Sequence, residues 1–349
     1  MLGGAVLGGG GGGWIEEGRQ LGYLALERGF SEILSIDELP GDAVLLTVSG
    51  VGAPSAGGDI VEPEDYIRAV ALFIEKSGLK IDGLISSEIG ALGVVNGWLQ
   101  STAFEVPVVD APCNGRAHPL GLMGSMGLHQ QKGFISLQAA AGGGREGRRR
   151  VEVFFKGSLQ DVAKSVREAS IKAGGMVAVA RNPVPARYVK EAGAPGAVAM
   201  AVDIGKMLME SKDVEPERTL NRVLRSLGGN FYRRGWIERI DLKTEGGLDI
   251  GNIWLKAEGL SCELSFWNEY MTLETGSYRI ATFPDLIMTF DARNTKPLIS
   301  AEIEEGKEVF VIAVPSEKLI LGAGVRDMDL LRCVEETMGK EILKYRQLT

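Results

Sequence analysis

The chain has 349 residues with 38 basic and 46 acidic side chains, a formal charge of −8, and is 45% hydrophobic and 24% charged. These values describe a globular protein of about two domains, and the acidic balance argues against a nucleic-acid partner. The 3 widely spaced cysteines exclude a disulfide framework, the first residues lack a signal-peptide pattern, and no stretch reaches the ~18 apolar residues of a membrane span, so a cytoplasmic protein without a membrane partner is expected.

In chain order, the apolar run 5–7 reads as a strand entering the glycine tract 8–13, followed by a helix over 14–28. Strands follow at 32–36 and 43–48. A helix begins at Pro63, carries Ile67, Val70 and Phe73 on one side and stops near Gly78. Strand 81–85, helix 91–104 and strand 106–109 complete a βαβ pattern. The expected organisation is therefore a parallel-sheet α/β domain over residues 1–150 and a C-terminal α+β region over 151–349. The second region starts with strand 151–155 and helix 159–173, then has strand 176–180 and helices over 197–210 and 217–227. It ends in short β-prone runs at 237–242, 252–257, 262–267, 278–280, 286–290 and 309–314, which predict a mostly antiparallel sheet or small barrel.

Ligands of open parallel sheets sit beyond the carboxyl ends of the strands. That rule selects the glycine tract, the segment 50–55, the segment 86–96 and the segment 110–119. Glycines at the entry to a helix let backbone N–H groups face an anion, so Gly10, Gly11, Gly12 and Gly13 are candidates for holding a phosphate or carboxylate. Asp37 stands near the spacing of a ribose-binding acid, which keeps a dinucleotide reading open; a tight turn over a buried crossover explains the glycines equally well. Glu88 follows an apolar strand and is either a general base or a helix cap, and Asn96 is either a ligand contact or an interior polar group. Asp110, Cys113, Arg116 and His118 form the densest group of reactive types. With His129 they include both histidines of the chain. Cys113, His118 and His129 could supply zinc ligands, although their spacing matches no finger, and Cys113 is either a nucleophile or a small buried residue. Arg116 suits a carboxylate or an imide edge, or a structural pair with Asp110. The arginine run at 145 and 148–150, flanked by glycines, reads as a solvated loop.

Together these blocks resemble the S-methyl-thiohydantoin desulfurase-like family, often encoded beside hydantoinase and oxoprolinase genes. The resemblance is carried by the tract Gly8 to Gly13, by Gly52-Ala53-Pro54, and by Glu88-Ile89-Gly90 with Asn96. It continues through Asp110 with Gly115-Arg116-Ala117 and Pro119, Gly193 to Gly196 with Ala201 to Lys206, the pair Asn268-Glu269, and Phe283-Pro284-Asp285-Leu286-Ile287. Two positions depart from the family pattern: Pro112 stands where a second aspartate is usual, and Leu120 where an acid is common.

The resemblance implies an N-terminal α/β domain, a β-rich C-terminal domain, and a site between or near them. It implies hydrolytic loss of methanethiol from an S-methylated thiohydantoin, leaving a hydantoin. Glu88 or Asp110 would be the base, Arg116 and Asn96 would orient the ring, and His118 would protonate the leaving group. Gly10 to Gly13, Gly52, Asn268 and Glu269 would contact the ligand, with no cofactor. The competing expectations are a non-catalytic partner of a hydantoinase or oxoprolinase-type enzyme that binds a small acid or nucleotide, and a zinc protein. A homo-oligomer is expected from the frequency of symmetric assemblies.

Overall fold

The computed structural model describes residues 1–30, 32–52, 61–143, 149–211, 214–245 and 248–346. Ala53 and Pro54 of the second proposed loop, and Arg145 and Arg148 of the basic run, lie outside them. The first sheet contains β1 (Ile33–Leu34), β2 (Val44–Gly52), β3 (Gly83–Ser86), β4 (Val108–Val109), β5 (Ser136–Gly142), β6 (Val151–Gly157) and β7 (Met176–Pro185). Its order is β1-β4-β3-β2-β7-β5-β6. The pairs among β1 to β4 are parallel, whereas β2–β7, β7–β5 and β5–β6 are antiparallel. Leu45, Leu46, Thr47 and Val48 of β2 are all buried, the near-continuous pattern of a strand covered on both faces. β6 and β7 belong to this sheet, so it draws strands from both sides of residue 150.

The second sheet holds β8 (Phe231–Glu245), β9 (Leu248–Ala257), β10 (Cys262–Trp267), β11 (Glu269–Thr275), β12 (Tyr278–Thr282), β13 (Leu286–Asp291), β14 (Pro297–Leu298) and β15 (Glu308–Val314). Its order, β12-β11-β10-β9-β8-β15-β13-β14, is that of an open antiparallel sheet rather than a closed barrel.

Residues 5–7 are not a strand. They lie inside α1 (Leu2–Gly8), a helix buried from Gly3 to Gly8. A Cβ on Gly3 would stand 1.8 Å from the Ala201 carbonyl oxygen, so α1 presses backbone to backbone against a later helix, and a helix apolar all round shows no helical period. Next comes α2 (Ile15–Glu27). The expected helix near Pro63 is α3 (Pro63–Ser77); Pro63 opens it, Gly78 closes it in the left-handed conformation, and Tyr66, Ala69, Val70 and Phe73 form its buried stripe.

The expected helix over 91–104 is broken into a 3₁₀ turn at Gly93–Val95 and α4 (Trp98–Phe104). Asn96 is extended and Gly97 has φ +107°, a value that ends any helix. Beyond it lie α5 (Leu159–Lys172), α6 (Ala186–Ala192), α7 (Ala197–Glu210) and α8 (Pro216–Ser226). After the last strand the chain adds α9 (Met328–Met338), capped by Asp327, and α10 (Leu343–Arg346). No helix among the described residues is long and apolar enough to cross a membrane.

Candidate active site

α1 delivers the glycine tract to a seam between the two sheets. The Gly9 carbonyl accepts from Tyr270 N–H of β11 at 2.8 Å, the Gly10 carbonyl from Ser300 N–H at 2.8 Å, and the Gly12 carbonyl from Leu92 N–H at 3.0 Å. The tract is glycine because nothing larger fits. At Gly12, φ is +79° and a Cβ would stand 2.5 Å from Gly90 Cα; at Gly11 a Cβ would stand 2.0 Å from Glu269 Oε1. With the carbonyls turned to protein, no backbone carbonyl among the described residues accepts from Gly12 or Gly13 N–H. Both residues line a cleft of about 880 Å³, including its open mouth, together with Ser49 to Gly52, Ser86 to Glu88, Asn96, His118, Arg167, Arg181, Asn268 and Glu269.

Glu88 leaves the carboxyl end of β3, where the strand-end rule expects it. Ser86 Oγ lies 2.6 and 2.7 Å from the carbonyls of Glu88 and Gly93, which curls this segment back over the sheet. The Glu88 carboxylate accepts His118 N–H at 3.2 Å and lies 3.4 Å from His118 Nε2. Burial pushes its pKa to about 7, against the His118 N–H and the charges of Arg181, Arg116 and Arg167, which favour ionisation. Burial, reinforced by Arg181, lowers His118 to about 3, so its imidazole is neutral at ordinary pH. Apart from the 3.4 Å approach of Nε2 to Glu88, neither ring nitrogen has a hydrogen-bond partner among the described residues.

Glu269 opens β11 only 2% exposed, and its Oε2 has no hydrogen-bond partner among the described residues. Burial, then the neighbouring Glu88, raises its pKa well above the ordinary carboxyl range, while Arg116 opposes the shift. The nearby Glu88 carboxyl thus adds to burial in opposing ionisation of Glu269. Asn96 Oδ1 accepts from Gln100 Nε2 at 2.8 Å, whereas its Nδ2 has no partner among the described residues. Asn268 is a clamp: its N–H donates to the Asp249 carbonyl at 2.7 Å, and its side chain accepts Asp249 N–H at 2.9 Å.

Several expected site residues are placed elsewhere. Asp110 caps α7, accepting Val198 N–H at 2.7 Å and Ala199 N–H at 3.0 Å, and does not line the cleft. Arg116 is fully buried behind the glycine tract. It lies 4.6 Å over the Phe283 ring and donates to the carbonyls of Ala117, Pro284 and Asp285, so it ties the two halves together rather than facing the cleft. Cys113 Sγ is 3.3 Å from Thr47 Oγ1, and burial pushes its thiol up to about 11, which removes it as a thiolate nucleophile. His129 pairs with Asp327 at 2.8 Å. Among the described residues no group of three or more histidine, cysteine or acidic side chains is placed to hold a metal ion. Asp37 is an exposed partner of Lys190, not a ribose-binding acid at the glycine tract.

Sequence reasoning missed Arg167 of α5 and Arg181 of β7, both of which line the cleft. Arg181 donates to Ser87 Oγ at 2.6 Å. Burial lowers both guanidiniums, Arg167 to about 10, and leaves both charged. Arg181 directly follows the five apolar residues that open β7, and a lone cation there does not by itself mark a cleft in the sequence.

Fold and site together define a two-sheet α/β protein with a cleft lined by glycines, carboxyls and arginines. The S-Me-THD-like N-terminal domain profile matches residues 1–146 and the S-Me-THD-like C-terminal domain profile residues 158–323, and the chain belongs to this family. A crystal structure of a protein from Chromobacterium violaceum superposes with a TM-score of 0.70 at 20% identity, covering 97% of this chain and 93% of that one, which shows the shared fold. No curated protein matches the chain.

Proposed function

We propose that this protein hydrolyses an S-methylated thiohydantoin-type ring, releasing methanethiol and leaving a hydantoin. The observation that carries the reading is a convergence of buried polar atoms without hydrogen-bond partners among the described residues. Ser49 Oγ, Asn96 Nδ2, both His118 ring nitrogens, Arg181 Nε and Glu269 Oε2 belong to residues lining one cleft. Each unpaired buried group costs about 1–3 kcal/mol, a cost relieved when a flat polar ring supplies the missing partners.

In the reaction, ionised Glu88 takes a proton from water as the water oxygen bonds to the carbon bearing sulfur and nitrogen. The C=N electrons move to the ring nitrogen, which Glu269, protonated and 2% exposed, protonates. When the C–S bond breaks, the sulfur keeps the electron pair and recovers a proton from Glu88, and the added hydroxyl returns its proton to Glu269 as the carbonyl forms. Water and the S-methyl ring thus become hydantoin and methanethiol, with both carboxyls restored. The neutral His118 beside Glu88 orients the water, and Gly12 and Gly13 N–H groups face the polar rim of the ring.

The test is thiol release from a 5-substituted S-methyl-thiohydantoin by the purified protein and by Glu88→Gln. Stoichiometric thiol and hydantoin, strongly slowed in the variant, support the reading. Binding without release would instead favour a non-catalytic partner of a hydantoinase-type enzyme.

A further inference from the structure

Two buried amides that take no part in the proton transfers above are joined to each other at one wall of the cleft. Asn96 lines the cleft and Gln100 does not, and they are 3% and 2% exposed. Asn96 has extended backbone between the 3₁₀ turn and α4, and its N–H donates to the Gly93 carbonyl at 3.1 Å. Gln100 is the third residue of α4, and its Oε1 accepts Gly97 N–H at 3.0 Å, as a glutamine at that helical position does. Its Nε2 donates to Asn96 Oδ1 at 2.8 Å.

The direction of this relay is fixed at its far end. A backbone N–H can only donate, so Gln100 must turn its oxygen to Gly97 and its amino group to Asn96. Asn96 must then meet that amino group with its oxygen. Its own Nδ2 is left as the end of the chain, without a partner among the described residues. The far end lies in the core, where a Cβ on Gly97 would meet Val48 and Val108 at 3.5 Å and Leu84 at 3.8 Å, and these side chains offer Gln100 no other hydrogen bond. Turning the Asn96 amide over would set two amino groups against each other and break the relay.

We infer that Gln100 is a positioning residue: it locks Asn96 as a donor toward the cleft, and the group Asn96 receives is the ring carbonyl that the reaction leaves untouched. This rests on the cleft being the ring site. A ring without that carbonyl leaves Asn96 Nδ2 buried and unpaired, so the relay selects rings with an acceptor there over rings with a methylene. The carbonyl is present before and after the loss of sulfur, so the contact strengthens substrate and transition state alike.

The experiment is calorimetric binding of hydantoin and of 2-imidazolidinone, the same ring with a methylene in place of that carbonyl, to the full chain, with thiol release from an S-methyl-thiohydantoin followed in parallel. The parent is expected to bind hydantoin about tenfold or more tightly, as one buried hydrogen bond implies. Gln100→Met, close in shape but unable to bond either neighbour, should bring that ratio below about threefold and raise KM for the S-methyl ring with kcat little changed. Gln100→Glu, assayed at about pH 8, keeps the bond to Gly97 and sets a second acceptor against Asn96, which turns the amide over. The ratio should be lost there as well, and this variant serves if Gln100→Met folds poorly. A merely structural Gln100 would weaken both rings alike. Equal binding of the two rings by the parent, or a ratio that both variants leave intact, overturns the inference. A ratio that depends on Gln100 without thiol release refutes the desulfurase reading and keeps the relay, thiol release without such a ratio does the reverse, and failure of both rings to bind without thiol release refutes both.

Discussion

Replacing Glu88 by Gln should make the protein more stable while it disables the chemistry. The folded carboxyl titrates at about 7 against an ordinary 4.5, chiefly because it is buried. A carboxyl raised in this way loses its proton first in the unfolded chain, so its contribution to stability is greatest below about pH 4.5. The contribution declines as pH rises toward 7 and has become a full penalty above that. At about 1.36 kcal/mol per pH unit, the penalty is about 3 kcal/mol, an upper figure because the side chain keeps 23% exposure. The glutamine amide carries no charge at any pH and can still accept His118 N–H, which removes the penalty. With 349 residues and about 2.1 cal/mol/K of unfolding entropy per residue, the gain corresponds to about 4 °C in Tm. Thermal melts of both proteins between about pH 4.5 and pH 8 should show curves that coincide at the acid end and separate progressively above it. A variant no more stable than the parent at about pH 8 would refute the reasoning, because it would mean that Glu88 is not a desolvated ionised group.

Three further outcomes follow from the same geometry. The pH profile of kcat/KM should rise with a midpoint near 7, as Glu88 ionises, and show no limb from His118, which titrates at about 3; rate measurements from about pH 5 to pH 9 check this. Asp110→Ala should cost about 1–2 kcal/mol in urea denaturation by uncapping α7 and leave kcat unchanged; a collapse of turnover with intact stability would return Asp110 to the active site. Gly12→Ala forces a Cβ to within 2.5 Å of Gly90 Cα at φ +79°, so it should destabilise by about 1–3 kcal/mol in urea denaturation and weaken binding of a hydantoin measured by calorimetry.

The α/β alternation, the central strands and the short strands of the second sheet were legible because their periods and turn residues are local signals. α3, with proline at one end, glycine at the other and one apolar stripe, is the clearest case. α1 was not legible. Its seven residues are apolar or glycine throughout, and the reason it is helical lies almost 200 positions away, at the α7 backbone it packs against. Glu88 and His118 could be picked out as reactive types, and the strand-end rule put Glu88 in the right place. That rule failed for Asp110, whose carboxylate turns to the start of α7, and sequence adjacency failed for Arg116, since neighbours in an irregular buried segment face different sides of it. Glu269 was marked only by resemblance. Arg181 was hidden because a lone arginine in a strand does not say whether a cleft, a surface or an ion pair awaits it.

The most direct test of the account is hydrolysis of an S-methyl-thiohydantoin in water enriched in heavy oxygen, with mass analysis of the product and Glu88→Gln run beside the parent. One heavy oxygen should appear at the ring carbon that carried sulfur, with one methanethiol per ring, and the variant should be slower by about 10²- to 10⁴-fold, the usual worth of a general base. No thiol, no label at that carbon, or an unimpaired variant would contradict Glu88-activated water as the chemistry of this cleft.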